Sequence, residues 1–210
     1  NPIRTYVSYS SDHGVTWTAP RDITSQLWGA GCTDPVRAAW QASFCGAGQG
    51  LTLRNGRIMV VGTVREVSGG ALHNYAYYSD DEGETWNVSA RAIQGGDEAK
   101  VVELNNGNIL MSSRTSGNRY WAVSADGGRT WGTRNSWTDL WGNACNGDMI
   151  RYTSTVDGFD KNRILHTLPN ASNRSNLSVF MSYDEGATWA VKKTVCAGTS
   201  AYASLTVLPD

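Results

Sequence analysis

Ser79-Asp80-Asp81-Glu82-Gly83-Glu84-Thr85-Trp86 holds five positions, Ser, Asp, Gly, Thr and Trp, that recur in three other places along the chain. The other copies are Ser10-Ser11-Asp12-His13-Gly14-Val15-Thr16-Trp17, Ser124-Ala125-Asp126-Gly127-Gly128-Arg129-Thr130-Trp131 and Ser182-Tyr183-Asp184-Glu185-Gly186-Ala187-Thr188-Trp189. Such repetition marks a chain built from one supersecondary unit. The chemistry of each copy is that of a turn. The Asp carboxylate can accept N–H groups within its own turn, and the Gly permits positive φ. The Trp is expected to bury a large ring beside that turn. Asp12, Asp81, Asp126 and Asp184 are therefore assigned structural roles.

A second periodicity lies beneath the first. Leu51-Thr52-Leu53-Arg54-Asn55-Gly56-Arg57-Ile58 reads as strand, turn and strand, and Val102-Glu103-Leu104-Asn105-Asn106-Gly107-Asn108-Ile109 repeats it. Thr206-Val207-Leu208-Pro209-Asp210 reads as a third copy, cut short. Asn-Gly between apolar alternations is a strong hairpin signal. The unit is thus turn motif, outer strand, loop, inner hairpin, next turn motif. The turn motif is the Asp box, found on hairpin turns of several β-propellers. Box spacings of 69, 45 and 58 residues bracket the ~40–50 typical of propeller blades. No helical period of 3.6 is sustained. The expected fold is all-β, a β-propeller of four-stranded blades, of which residues 1–210 supply about four. The chain opens in a strand and stops in half a turn, so it reads as part of a longer propeller domain with blades missing at both ends.

Composition narrows the function classes. Eighteen basic residues against 19 acidic ones give a net charge of −1, and no basic run points to nucleic acid. No apolar stretch approaches the ~20 residues of a membrane helix. Cys32, Cys45, Cys145 and Cys196 lack a C-x-x-C spacing, which argues against zinc. Two disulfides, with Cys32–Cys45 the most local pairing, and four free thiols remain open alternatives. His13, His73 and His166 are scattered and read as surface or packing residues, so no metal or cofactor is expected. Asn87, Asn170, Asn173 and Asn176 each begin an Asn-x-Ser sequon, read as chance occurrences.

The repeat also locates a site. Six residues before the Leu that ends each inner strand stand Ala47, Glu98 and Tyr202. Equivalent positions in successive blades point the same way around the axis, so a carboxylate and a phenol are expected to converge near the central channel. The hairpin turn centres near Asn106, which sets Glu98 opposite Arg114, at the ~5 Å spacing of cross-strand neighbours. The plainer alternative is a surface ion pair and a core tyrosine. Asn143-Ala144-Cys145-Asn146-Gly147-Asp148 occupies the same offset in its own blade. Asn146 is either a pocket residue touching the ligand or part of an inward loop.

These segments resemble the exo-sialidases of bacteria and animals. Gly96-Asp97-Glu98-Ala99-Lys100 through Ser113-Arg114 looks like their central motif, and Ser200-Ala201-Tyr202-Ala203-Ser204 looks like the segment bearing their nucleophile. Asn170-Ala171-Ser172-Asn173-Arg174 resembles a segment bearing an arginine. The resemblance spans the whole chain. It implies a six-bladed propeller that removes terminal sialic acid from glycans, glycoproteins or glycolipids with retention, in a secreted, periplasmic or cell-surface setting. It further implies Tyr202 as nucleophile, Glu98 as its base, and Arg114 and Arg174 as two of three arginines gripping the substrate carboxylate. The Phe-Arg-Ile-Pro motif of the first arginine and the segment bearing the acid/base aspartate are not found here.

The residue types suit that chemistry. Guanidinium groups grip a carboxylate bidentately. A neutral phenol avoids the repulsion that an anionic nucleophile would meet there. It needs a nearby base to take its proton, and Glu98, beside Asp97, is the carboxylate so placed. The competing readings are a trans-sialidase, a non-catalytic sialic-acid-binding propeller and an unrelated Asp-box propeller. The last has no need of the Glu98, Arg114 and Tyr202 set.

Overall fold

A computed structural model of the chain describes residues 3–208. Fifteen strands make one two-stranded hairpin and three larger antiparallel sheets. The hairpin pairs β1 (Tyr6–Val7) with β2 (Arg21–Asp22). The first large sheet joins β5 (Ile58–Arg65), β6 (Leu72–Ser79) and β7 (Asn87–Gln94) to a broken inner strand, β3 (Ala42–Cys45) and β4 (Leu51–Thr52), both paired to β5. The second runs β8 (Ala99–Glu103), β9 (Ile109–Ser113), β10 (Gly117–Ser124) and β11 (Asn135–Gly142). The third runs β12 (Asp148–Thr153), β13 (Arg163–Pro169), β14 (Ser175–Ser182) and β15 (Val191–Thr199). These are three blades of four strand positions each and a hairpin, in the meander order expected of a propeller. Among the described residues no helix is long and apolar enough to cross a membrane.

Alternation along the strands shows why the blades stack. Val101 on β8 packs with Met59, Val61, Ile93 and Met111, whereas its neighbour Val102 packs with Leu110, Leu140, Met149 and Ile164. Successive strand side chains point to opposite faces, so this sheet is buried on both sides, between the sheet before it and the sheet after it. Ile109 and Leu110 on β9 divide in the same way. A third cluster, with Ile23, Leu27, Trp28 and Trp40 against Val64, Tyr75 and Tyr77, closes the first large sheet. It draws on two one-turn helices, α1 (Thr24–Leu27) and α2 (Pro35–Ala38), that repeat spacing did not foretell. Asp34 caps α2, accepting from the Val36 and Arg37 amides, with proline in its first turn.

The inner hairpins have the expected turns. Leu53 N–H donates to the Arg57 carbonyl and Leu104 N–H to that of Asn108, each at 2.8 Å. Gly56 and Gly107 stand at φ +89° and +82°, where a side chain would be strained. The third copy departs from expectation. Thr206–Leu208 pairs with no strand among the described residues, because none of them supplies a partner edge. Its Pro209 and Asp210 lie outside the described residues.

All four Asp boxes share one wiring. The Ser hydroxyl donates to the Asp at 2.7–2.8 Å and accepts the Gly N–H at 2.8 Å. The Asp also takes the Thr hydroxyl at 2.5–2.6 Å and the Thr N–H at 2.8–2.9 Å. The tryptophans differ from one box to the next. Trp86, Trp131 and Trp189 pack into the clusters shared with the preceding layer. Trp17 is 64% exposed, contrary to the expectation that every box buries its ring. Each ring fills the gap to the layer before it, and no described residue forms such a layer for the first box. Box carbonyls tie neighbouring layers together: Arg21 and Tyr9 donate to the Gly83 carbonyl, Arg57 to that of Gly127 and Trp137 to that of Gly186.

Candidate active site

Glu98 directly precedes β8 and Arg114 directly follows β9, so the two close the open end of one hairpin. The register pairs Ala99 with Ser113. One step further, Arg114 N–H donates to the Glu98 carbonyl at 2.8 Å, and Asp97 N–H donates to the Arg114 carbonyl at 3.2 Å. The side chains follow: Arg114 Nη1 lies 2.5 Å from Glu98 Oε2, and Nε lies 3.3 Å from Asp97 Oδ2. Glu98 is 6% exposed. Asp97 is held from behind, its carbonyl accepting from Asn74 Nδ2 and Ser113 Oγ. Gly96 lets these groups meet, since a Cβ there would stand 2.1 Å from Asn74 Oδ1 and 2.3 Å from Ser113 Oγ.

Tyr202 reaches the same point from the segment that follows β15. Its hydroxyl accepts from Arg114 Nη1 at 3.0 Å, so the phenol and the Glu98 carboxylate share one guanidinium nitrogen. Hydrogen bonding to Glu98 raises the phenol above its ordinary range; partial burial and the Glu98 charge act the same way, and Arg114 opposes them. Near neutral pH the phenol therefore carries its proton. Arg174, exposed just before β14, has its guanidinium carbon 5.8 Å from the Tyr202 ring centroid; that of Arg114 lies 5.9 Å away. The two cations flank one half-exposed ring.

Asn146 sits elsewhere. It is 2% exposed, and its Nδ2 donates to the Ala47 carbonyl at 3.3 Å, which is the inward-loop arrangement. That carbonyl also accepts from Lys100 Nζ. The three histidines do not join the cluster. His166, 1% exposed, meets Ser112 Oγ and the rings of Trp137 and Trp189. All four cysteines are free thiols in this structure.

The third box lies at the end of its blade away from this cluster. β10 starts at the site end of its sheet, where Tyr120 pairs with Ser113, and ends at Ser124 of the box. The strand climbs ~3.3 Å per residue, so the third box closes the opposite end of the blade.

Comparison with known proteins gives the family of the chain. The family profile of the BNR repeat-like domain matches residues 2–210. This chain belongs to that family. The resemblance to sialidases also holds at the level of individual relatives. A sialidase of Micromonospora viridifaciens is 34% identical over 220 residues, covering 100% of this chain and 33% of the relative. The BNR repeat-like chain thus spans about a third of that protein's length. Among solved structures, a Hadza microbial sialidase superposes with a TM-score of 0.84 at 28% identity, covering 97% of this chain and 39% of that one. The intramolecular trans-sialidase from Ruminococcus gnavus superposes with a TM-score of 0.80 at 27% identity, covering 98% and 44%.

Proposed function

We propose that this chain carries one side of the active site of a retaining exo-sialidase. The observation that supports it best is the sharing of Arg114 Nη1 between Glu98 Oε2 and the Tyr202 hydroxyl. Glu98 takes the phenolic proton as the Tyr202 oxygen attacks the anomeric carbon. The bond to the aglycone breaks, and the aglycone oxygen leaves with a proton from an acid outside this chain. Water then attacks the same carbon and returns a proton to the acid that protonated the aglycone, the tyrosyl bond breaks, and the phenolate recovers its proton from Glu98. Two displacements on one carbon retain configuration.

Arg114 and Arg174 grip the carboxylate that sialic acid carries on that carbon. Asp97 and Glu98 fix the Arg114 fork, so the clamp is preorganised for its ligand. The substrates on this reading are sialylated glycans, glycoproteins or glycolipids, met outside the cell or at its surface. The similarity to an intramolecular trans-sialidase keeps transfer to an internal hydroxyl as a second reading. Analysis of the released sugar separates it from hydrolysis. A fluorinated sialic acid that traps the glycosyl-enzyme tests the nucleophile, by mapping of the labelled peptide.

A further inference from the structure

The segment that carries Tyr202 has little regular structure of its own. Residues 200–208 form no strand, and Tyr202 is 50% exposed. Two tethers bracket it. On one side Ser200 N–H donates to the Arg174 carbonyl at 2.9 Å. On the other, Asp148 Oδ2 accepts Leu205 N–H at 2.7 Å and Ser204 Oγ–H at 3.0 Å. Asp148 opens β12 and is 1% exposed, and its second oxygen accepts the Met149 amide at 2.9 Å.

A buried carboxylate is costly unless it is paired and hydrogen-bonded. Three donors meet this one, and a buried cation stands close by. Lys100 on β8 is 5% exposed and donates to the Ala47 carbonyl. A Cβ built on Gly48 would stand 2.6 Å from Lys100 Nζ and 3.8 Å from Asp148 Oδ2, so ammonium and carboxylate flank one point. Gly48, at φ +108°, leaves that space open. Packing alone does not call for a charged residue at this place. The donors it satisfies belong to the segment bearing the reactive phenol.

We propose that Asp148, charge-balanced by Lys100, is a positioning residue that latches Ser204 and Leu205 and so sets the place of the Tyr202 phenol against Glu98 and Arg114. The inference rests on the role proposed for Tyr202. Both Asp148 oxygens accept from N–H or O–H donors. An amide in their place must turn its NH2 toward one of those donors, so Asp148→Asn loses either the latch or the Met149 bond that aims it, together with the charge that faces Lys100, at nearly constant volume.

The test is steady-state kinetics on the active protein that contains this chain, for Asp148→Asn, Ser204→Ala, the double variant and Tyr202→Phe, with melting temperatures alongside. A misplacement of ~1 Å costs about 10²-fold in rate, so Asp148→Asn is expected to lower kcat by roughly 10- to 100-fold. KM should stay within about threefold, because the arginines are untouched. Ser204→Ala should lower kcat less, and adding it to Asp148→Asn should cost little more, as for residues in one network. Unchanged kcat per folded molecule in Asp148→Asn overturns the latch. If that variant does not fold, unchanged kcat in Ser204→Ala overturns it instead. Full activity in Tyr202→Phe would overturn the role of Tyr202 itself. An inactive Tyr202→Phe beside a fully active Asp148→Asn would remove only the latch.

Discussion

Glu98 and Arg114 face each other across the mouth of one β-hairpin, joined by a 2.8 Å backbone hydrogen bond and a 2.5 Å ion pair. The pair is a product of register. A slip of one residue would turn both side chains to the opposite face, and the Asn106-Gly107 turn sets the register that prevents it. On the proposed mechanism Glu98→Gln keeps the shape and loses the base. It is expected to lower kcat by about 10²–10⁴-fold, with KM changed little. Steady-state kinetics check this, and near-normal kcat in the Gln variant would remove Glu98 from the chemistry.

Gly96 should be intolerant of any side chain. A Cβ there meets Asn74 Oδ1 and Ser113 Oγ at 2.1 and 2.3 Å. Overpacking of this kind costs about 1–3 kcal/mol, and Gly96→Ala is expected to show that loss in urea unfolding. It should also lower activity by displacing Asp97 and Glu98. Wild-type stability together with wild-type kcat would mean that the close approach does not matter.

The box tryptophans should divide by their surroundings. Trp189, 4% exposed among Trp137, Ile164 and Phe180, should cost about 3–5 kcal/mol on replacement by Ala. Trp17, 64% exposed, should change stability by no more than about 0.5 kcal/mol. Equal losses at the two positions, measured by the same denaturation curves, would contradict the described packing.

The boxes should also set the acid limit of the fold. The Thr16 and Thr85 hydroxyls, with the amides of the same residues, hold Asp12 and Asp81 at about 2, below the ordinary 3.8. Groups depressed in the folded state add stability that is present above pH ~4 and is lost as pH falls toward 2. Stability followed by tryptophan fluorescence should decline through that window. Asp81→Asn should lower the melting temperature at neutral pH and flatten the decline. The same pH dependence in the variant would mean that Asp81 does not contribute to it.

Much of this was legible in the sequence because it is local or periodic. The boxes, the Asn-Gly hairpins and the facing of Glu98 and Arg114 follow from turn chemistry and the two-residue strand period, and both hold within one hairpin. The convergence of Tyr202 on Glu98 needed the longer repeat. The rest depends on contacts that no spacing encodes. Trp17 carries the same motif as Trp189, yet only its surroundings decide its exposure. The inner strand before β5 breaks at Gly46–Gly50, and the Ala47 carbonyl there is taken by Lys100 and Asn146. Asp148 meets Ser204 and Leu205 across more than fifty residues of chain. The Asp34-Pro35 start of α2 is the exception, a local helix cap that stands in the sequence but outside the strand repeat.

The central claim is that the Tyr202 oxygen becomes the glycosyl acceptor. The most direct measurement is to trap the active protein with a fluorinated sialic acid, digest it and locate the label by mass spectrometry. The label is expected on Tyr202, with Tyr202→Phe unlabelled and turnover-deficient while it still binds substrate through Arg114 and Arg174. A label on any other residue, or normal turnover in Tyr202→Phe, would contradict it.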